Sequence, residues 1–273
     1  LGRLSTERMQ WMFDHFDGYL LDLDGVIYLE DEVIPGARET VAALKRLGKR
    51  VYFVSNTSRH SRADCVNKLR QLGFDVEPEE VLVTTRATAR LIAERSPGAS
   101  AYVLGQHGMW DELREVNIDA RPADTTNPEP VDYFIVAHVE SLSYVELTCA
   151  LRSIRGGAKF VAANRDPTYP SPDGPRPGLG AVVSAIEAMV GPPDIMIGKP
   201  STTMLEMALE HGELKPEQCV MIGDTVETDI AAGNRLGVTT IWVQTGNPLP
   251  KHVPDEWRPD WVLPSIRHLL GSN

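Results

Sequence analysis

Cysteine is scarce in this chain: Cys65, Cys149 and Cys219 are three in 273 residues, each in an apolar or helical stretch. An odd number at such wide spacing makes neither a disulfide framework nor a zinc knot, so all three read as reduced core residues. A basic excess is also missing. Lys and Arg total 27 against 38 Asp and Glu, a net charge of -11. That balance argues against nonspecific nucleic-acid binding and against a polybasic membrane anchor. No apolar run has the length of a membrane span, and the first twenty residues lack the basic-then-apolar order of a signal peptide. A cytoplasmic protein is therefore expected, with no nucleic-acid or membrane partner. Glycines 105, 108, 156 and 157 form no dinucleotide fingerprint. The seven histidines show no transition-metal spacing and read as satisfied structural or surface residues; His138 and Glu140, near a predicted strand end, receive no role.

What is present is an alternation of short β-rich runs with amphipathic helices, the pattern of an α/β fold with parallel strands. "GYLLDLD" is the first predicted strand, and Val41, Leu44 and Leu47 mark a helix that Gly48 ends. "RVYFVSNT" is the second strand, followed by a helix with Leu69 and Leu72 on one face. "PDIMIGK", "CVMIGDT" and "TTIWVQTG" repeat the scheme near the far end, and Trp242, Trp257 and Trp261 are expected to pack the C-terminal segment on the core. The middle carries its own set: strands in 101–105, 132–139 and 159–164, with helices around them and two loops rich in Pro and Asp. The expected division is 1–87 and 194–273 as one α/β domain, with 88–193 inserted into it.

Four outer segments end in polar groups: Asp22 and Asp24; Ser55, Asn56 and Thr57; Lys199; Asp224 and Asp229. In an open parallel sheet the ligand crevice lies at the carboxyl ends of the strands. If the four share one sheet, residues far apart in sequence meet there. Taken singly, each has a bland reading: an Asx-turn for Asp22 and Asp24, a helix cap for Ser55 to Thr57, a solvated lysine at 199, and turn plus cap for Gly223-Asp224. Together they suit phosphoryl transfer through a carboxylate nucleophile. A carboxylate nearing a phosphate meets like charge, about 4 kcal/mol per unit pair at 4 Å with an effective dielectric near 20. Mg²⁺ held by Asp22 and Asp224, with Lys199 beside them, would cancel it. Ser55 would bind phosphate oxygens, and Asp24 would protonate the leaving alkoxide and then deprotonate water.

These segments, D-x-D-G-V-x-Y, S-N-T-S-R, G-K-P and G-D-x-x-x-T-D-I, resemble in order the four motifs of the haloacid dehalogenase (HAD) superfamily of phosphohydrolases. About 140 residues between the second motif and the lysine resemble its class IIA, NagD-like branch, which includes 4-nitrophenylphosphatase, phosphoglycolate phosphatase and pyridoxal-phosphate phosphatase types. The resemblance implies a Rossmann-like parallel-sheet core with an inserted α/β cap that selects the substrate, a small phosphorylated metabolite. It implies Asp22 as nucleophile, Asp24 as acid/base and, through its backbone carbonyl, a metal ligand. Ser55, Asn56 and Thr57 become the phosphate cradle, Lys199 the charge clamp, Asp224 a ligand of Mg²⁺, and Asp229 an orienting group behind Lys199 or a metal-bound water. In the cap stretch "ANRDPTYPSPDG", Asp166 and Tyr169 are candidates to face substrate. Caps of this kind can pair, which admits a homodimer. Thr57 departs from the branch's more usual asparagine and keeps a donor and an acceptor.

Three rivals stay open. A haloacid dehalogenase needs no acid at position 24; a phosphomutase or phosphotransferase would share all four motifs; a regulator that only binds Mg²⁺ or phosphate would not need both Asp22 and Asp24.

Overall fold

The computed structural model describes residues 14–169 and 174–270. The tip of the second Pro- and Asp-rich loop, 170–173, lies outside the described residues. The chain divides into two compact units, one made of 1–55, 65–82 and 199–273, the other of 56–64 and 83–198.

The first unit is built on a six-stranded sheet. Its order is Trp261–Leu263, Thr239–Val243, Cys219–Gly223, Gly18–Leu21, Arg50–Ser55, Val81–Val83. Gly18–Leu21 runs parallel to both of its neighbours, with Leu20 opposite Met221 on one side and Tyr52 on the other. Tyr19, Leu20 and Leu21 are fully buried, so both faces of this central strand are covered. Each such side chain contributes roughly 1.5–3 kcal/mol by leaving water. The helices Ala37–Arg46 and Thr203–Gly212 turn Val41 and Leu44, and Met204, Leu205 and Ala208, into this core. At the C-terminal end Trp257 and Val262 pack on a cluster of Val226, Ile230 and Trp242. Trp261 opens the edge strand of the same sheet, paired with Ile241.

The second unit has a five-stranded parallel sheet in the order Ile195–Met196, Lys159–Ala162, Tyr133–Val136, Ser100–Leu104, Asp119–Pro122. Tyr133–Val136 at its centre is buried throughout. Helices Thr84–Arg95, His107–Glu115, Tyr144–Arg155 and Leu179–Val190 accompany it. Ser143 caps the third of these through a reciprocal pair of bonds with Glu146.

One strand departs from expectation. Ile195–Met196, read as a strand of the same sheet as the aspartates, pairs instead with Val161 and Ala162 in the second unit. Lys199 thus reaches the first unit on a loop, ahead of the helix Thr203–Gly212. Within the two main sheets three strands also went unpredicted: Val81–Val83, Asp119–Pro122 and Trp261–Leu263. All are short edge segments with weak alternation. Cys65, Cys149 and Cys219 are buried and free. Among the described residues no helix is long and apolar enough to cross a membrane.

Candidate active site

The first unit's central strand does not stop at Leu21. The Asp22 amide donates to the Ile222 carbonyl at 2.9 Å, which carries the pairing one residue further and fixes the Asp22 side chain at the carboxyl edge. The chain then turns. The amides of Ile27 and Tyr28 converge on the Leu23 carbonyl at 2.9 and 3.2 Å, and Gly25 donates to Tyr28 at 2.8 Å. Gly25 has φ +78°, and a Cβ on it would stand 2.5 Å from Asp224 Oδ2. Glycine is demanded twice there, by backbone conformation and by the approach of Asp224.

Asp22 is buried, and its Oδ1 accepts from Lys199 Nζ at 2.7 Å. The same ammonium donates to the Val54 carbonyl at 2.8 Å and lies 2.7 Å from Asp229 Oδ1. Lys199 is 2% exposed, so its charge has been taken almost entirely out of water. Burial alone would lower its pKa, but Asp22 and Asp229 more than offset that and hold it above the ordinary lysine value. Asp229 Oδ2 accepts from the Thr225 amide at 3.0 Å. Asp224 follows the strand Cys219–Gly223. Its Oδ2 accepts from the amide and the side chain of Asn247 at 2.8 and 2.9 Å, and its Oδ1 from Thr225 Oγ1 at 3.0 Å. Asn247, Thr245 and Gly246 come from the loop after Thr239–Val243, and sequence reasoning passed them over. The signal was there: "QTGN" follows an apolar strand just as the other polar groups do. Gly246 could carry no Cβ without striking Asp224 Oδ2.

Asp22, Asp224 and Asp229 each offer an oxygen, all within 4.8 Å of one another. Three carboxylates face one ammonium, so when all ionise two negative charges remain uncancelled. The crowding registers in the titration of Asp22 and Asp224. Burial, then Asp229, push Asp22 well above the carboxylate range despite Lys199, and the same two causes raise Asp224 to about 6. A buried oxygen-rich cluster short of positive charge suits a hard divalent cation.

Asp24 differs from Asp22, two residues away. It is exposed, yet the protein packed around it pushes its pKa up, against the pull of Lys68 and Lys199. Ser55 is buried at the end of its strand.

The other expected site residues lie in the second unit. The Asn56 amide donates to both oxygens of Asp166, at 3.1 and 3.3 Å, and the Asn56 carbonyl accepts from Asn164 Nδ2 at 2.5 Å. Asp166 therefore holds Asn56. Thr57 is half-buried, and its carbonyl accepts from Thr84 Oγ1 at 2.6 Å. Tyr169 is half-buried and meets the His138 ring edge-on, centroids 5.3 Å apart. His138 is buried, and its Nε2 has no hydrogen-bond partner among the described residues, so the expectation of a satisfied histidine fails there.

A parallel sheet that delivers buried carboxylates and a buried lysine to its carboxyl edge is the arrangement of an α/β phosphotransfer enzyme. Residues 19–119 match the family of haloacid dehalogenase-like hydrolases, and 196–269 match a second HAD-hydrolase-like family. The chain is 33% identical over 251 residues to the sugar-phosphatase AraL of Bacillus subtilis, covering 92% of this chain and 90% of that one. The p-nitrophenyl phosphatase from Archaeoglobus fulgidus superposes with a TM-score of 0.85 at 35% identity, over 93% and 97% of the two chains. A glycerol phosphate phosphatase from Mycobacterium tuberculosis, solved in complex with magnesium, superposes with a TM-score of 0.84 at 27% identity, over 94% and 77%. The chain belongs to the haloacid dehalogenase-like hydrolases, in their NagD-like branch, and is a phosphatase acting on phosphoric monoesters.

Proposed function

We propose that this enzyme hydrolyses small sugar or polyol phosphates, depends on Mg²⁺, and works through a covalent aspartyl-phosphate on Asp22. The observation that carries the reading is the contrast between Asp22, buried 2.7 Å from the Lys199 ammonium, and Asp24, two residues on and exposed. Two carboxylates whose surroundings differ this much are suited to two jobs. Asp22 attacks phosphorus. Asp24 gives its proton to the departing sugar oxygen and takes one from the water that releases the phosphate. Lys199, held by Asp229 and the Val54 carbonyl, keeps its charge against the incoming phosphoryl oxygens. Ser55, Asn56 and Thr57 are assigned to phosphate binding.

Asp22 and Asp224, with the backbone carbonyl of Asp24, would hold the metal, and the uncancelled charge of the cluster supports this fit. Bound there, Mg²⁺ would neutralise negative charge on the phosphoryl oxygens. The sugar and glycerol phosphates named for the relatives support the substrate class. We assign 1–87 and 194–273 to the catalytic core and 88–193 to substrate choice, with Asp166 and Tyr169 as its candidate residues.

The test is a panel of phosphorylated sugars, polyols, nucleotides and glycolate, assayed for released phosphate with Mg²⁺ and with chelator. Sugar or polyol phosphates should rank first in kcat/KM. A top rank for nucleotides, or turnover undiminished by chelator or by Asp22→Asn, would sink the proposal.

A further inference from the structure

Away from the carboxylate cluster, the second unit assembles a set of ligands that local spacing does not display. His60, Asp64 and His107 each place one donor atom within 4.8 Å of the others. His60 lies just before the helix Arg62–Gln71, Asp64 in its first turn, and His107 opens the helix His107–Glu115. Forty-three residues separate Asp64 from His107, so the interval between them gives no sign of the grouping.

The 60–62 backbone is held by side chains of two neighbouring helices. Arg62 N donates to the buried carboxylate of Glu112 at 2.5 Å, and Thr85 Oγ1 to the His60 carbonyl at 2.8 Å. Gly108 lies so close to the 59–61 backbone that a Cβ would stand 2.5 Å from the Arg59 carbonyl oxygen. Asp64 is fixed in turn by Ser61, whose amide and hydroxyl both donate to its Oδ2 at 2.9 and 2.8 Å. The three ligands therefore stand on an ordered frame.

We propose that His60, Asp64 and His107 form a second metal site, for a transition cation of the zinc class. Two imidazoles and one carboxylate are a donor set for Zn²⁺ and its neighbours, whereas Mg²⁺ seeks oxygen throughout. Tetrahedral bonds of about 2.1 Å place neighbouring donors roughly 3.4 Å apart. His107 Nε2 and Asp64 Oδ2 are already 3.2 Å apart. The His60 and His107 rings stand 6.2 Å apart, and both are exposed, so rotation of their side chains brings the third donor in. With the histidines at the surface, the remaining coordination positions fall to water. The site shares no residue with the Asp22, Asp224 and Asp229 cluster.

The test is calorimetric titration of ZnCl₂ into the untagged full chain with excess Mg²⁺ present, followed by visible spectroscopy with Co²⁺. The wild type should take up one equivalent of Zn²⁺ in competition with Mg²⁺, and Co²⁺ should give the absorption of nitrogen ligation. His60→Gln and His107→Gln, made singly at exposed positions, should each weaken Zn²⁺ by at least about tenfold, the smallest loss common even for groups behind the ligands. Asp224→Asn should leave that affinity unchanged. No Zn²⁺ uptake by the wild type, equal affinity in the histidine variants, or loss of binding in Asp224→Asn would each overturn the proposal.

Discussion

Lys199 and Asp229 meet at 2.7 Å with both side chains almost wholly buried, so neither charge has water to fall back on. Asp22 also faces the ammonium at 2.7 Å, so without Asp229 the charge of Lys199 keeps one carboxylate. Asp229→Ala should lose stability in urea denaturation, by less than the roughly 3–5 kcal/mol typical of a buried charge left alone. Asp229→Asn, which keeps the shape, should remain folded while kcat drops by about 10–100-fold with KM less affected, the pattern of a positioning residue. A variant with wild-type kcat would show that Lys199 needs no such anchor.

Asp22→Asn and Asp24→Asn should fail differently. On the proposed mechanism Asp22→Asn should form no phosphoenzyme and lose turnover. Without Asp24, 4-nitrophenolate can still leave, because that leaving group needs little protonation, but release of phosphate slows by about 10²–10⁴. Rapid mixing of Asp24→Asn with 4-nitrophenyl phosphate should therefore give a burst of nitrophenolate, one per enzyme, followed by a slow phase. Equal loss with no burst in either variant would remove the division of labour.

Gly25→Ala meets two obstacles, a positive φ and the Asp224 carboxylate 2.5 Å from the new Cβ. Gly48, with φ +73° and nothing within 4 Å, meets only the first and serves as the control. Gly48→Ala should cost about 1 kcal/mol and spare activity. Gly25→Ala should cost more in thermal unfolding and reduce phosphatase activity sharply.

Asp224→Asn should stabilise the metal-free protein, since burial and then the repulsion of Asp229 raise the Asp224 pKa to about 6 and the variant carries no charge there. Differential scanning calorimetry in chelator should place its Tm above that of the wild type. Addition of Mg²⁺ should then raise the wild-type Tm and leave the variant's unchanged, because only a folded state that binds the ion gains from it.

His138 supplies a pH signature. Burial, then the nearby Arg59 charge, hold its pKa below the ordinary histidine value, with Glu140 opposing and His60 adding to the depression. The unfolded chain takes up the proton first, near pH 6.5. Between that point and the lower folded value the unfolded state binds more protons, so stability falls as pH falls through the window. Urea midpoints taken across it should decline less steeply for His138→Gln than for the wild type. Parallel profiles would remove His138 as the source.

Much of the site could be read before any coordinate. Asp22, Ser55 and Asp224 each follow an apolar run, and hydrophobic pattern locates strand ends from a few consecutive residues. The partners of those strands could not be read that way. "PDIMIGK" looks like its fellows, yet Ile195–Met196 pairs with Lys159–Ala162, and Lys199 reaches Asp22 by a loop. Asn247 and Gly246 went unnoticed because their importance lies in where Asp224 stands, 22 or more residues away. His107 escaped for the same reason, since it lies 43 residues from Asp64. The sequence by itself determined the alternation of strands and helices, the polar group that ends each strand, and the kind of chemistry those groups can do. Tertiary structure decided which strands share a sheet and which carboxylate Lys199 holds. The physical reason is one of range: periodicity and turns are written within a few residues, whereas pairing and burial depend on all the surfaces that compete for the same core.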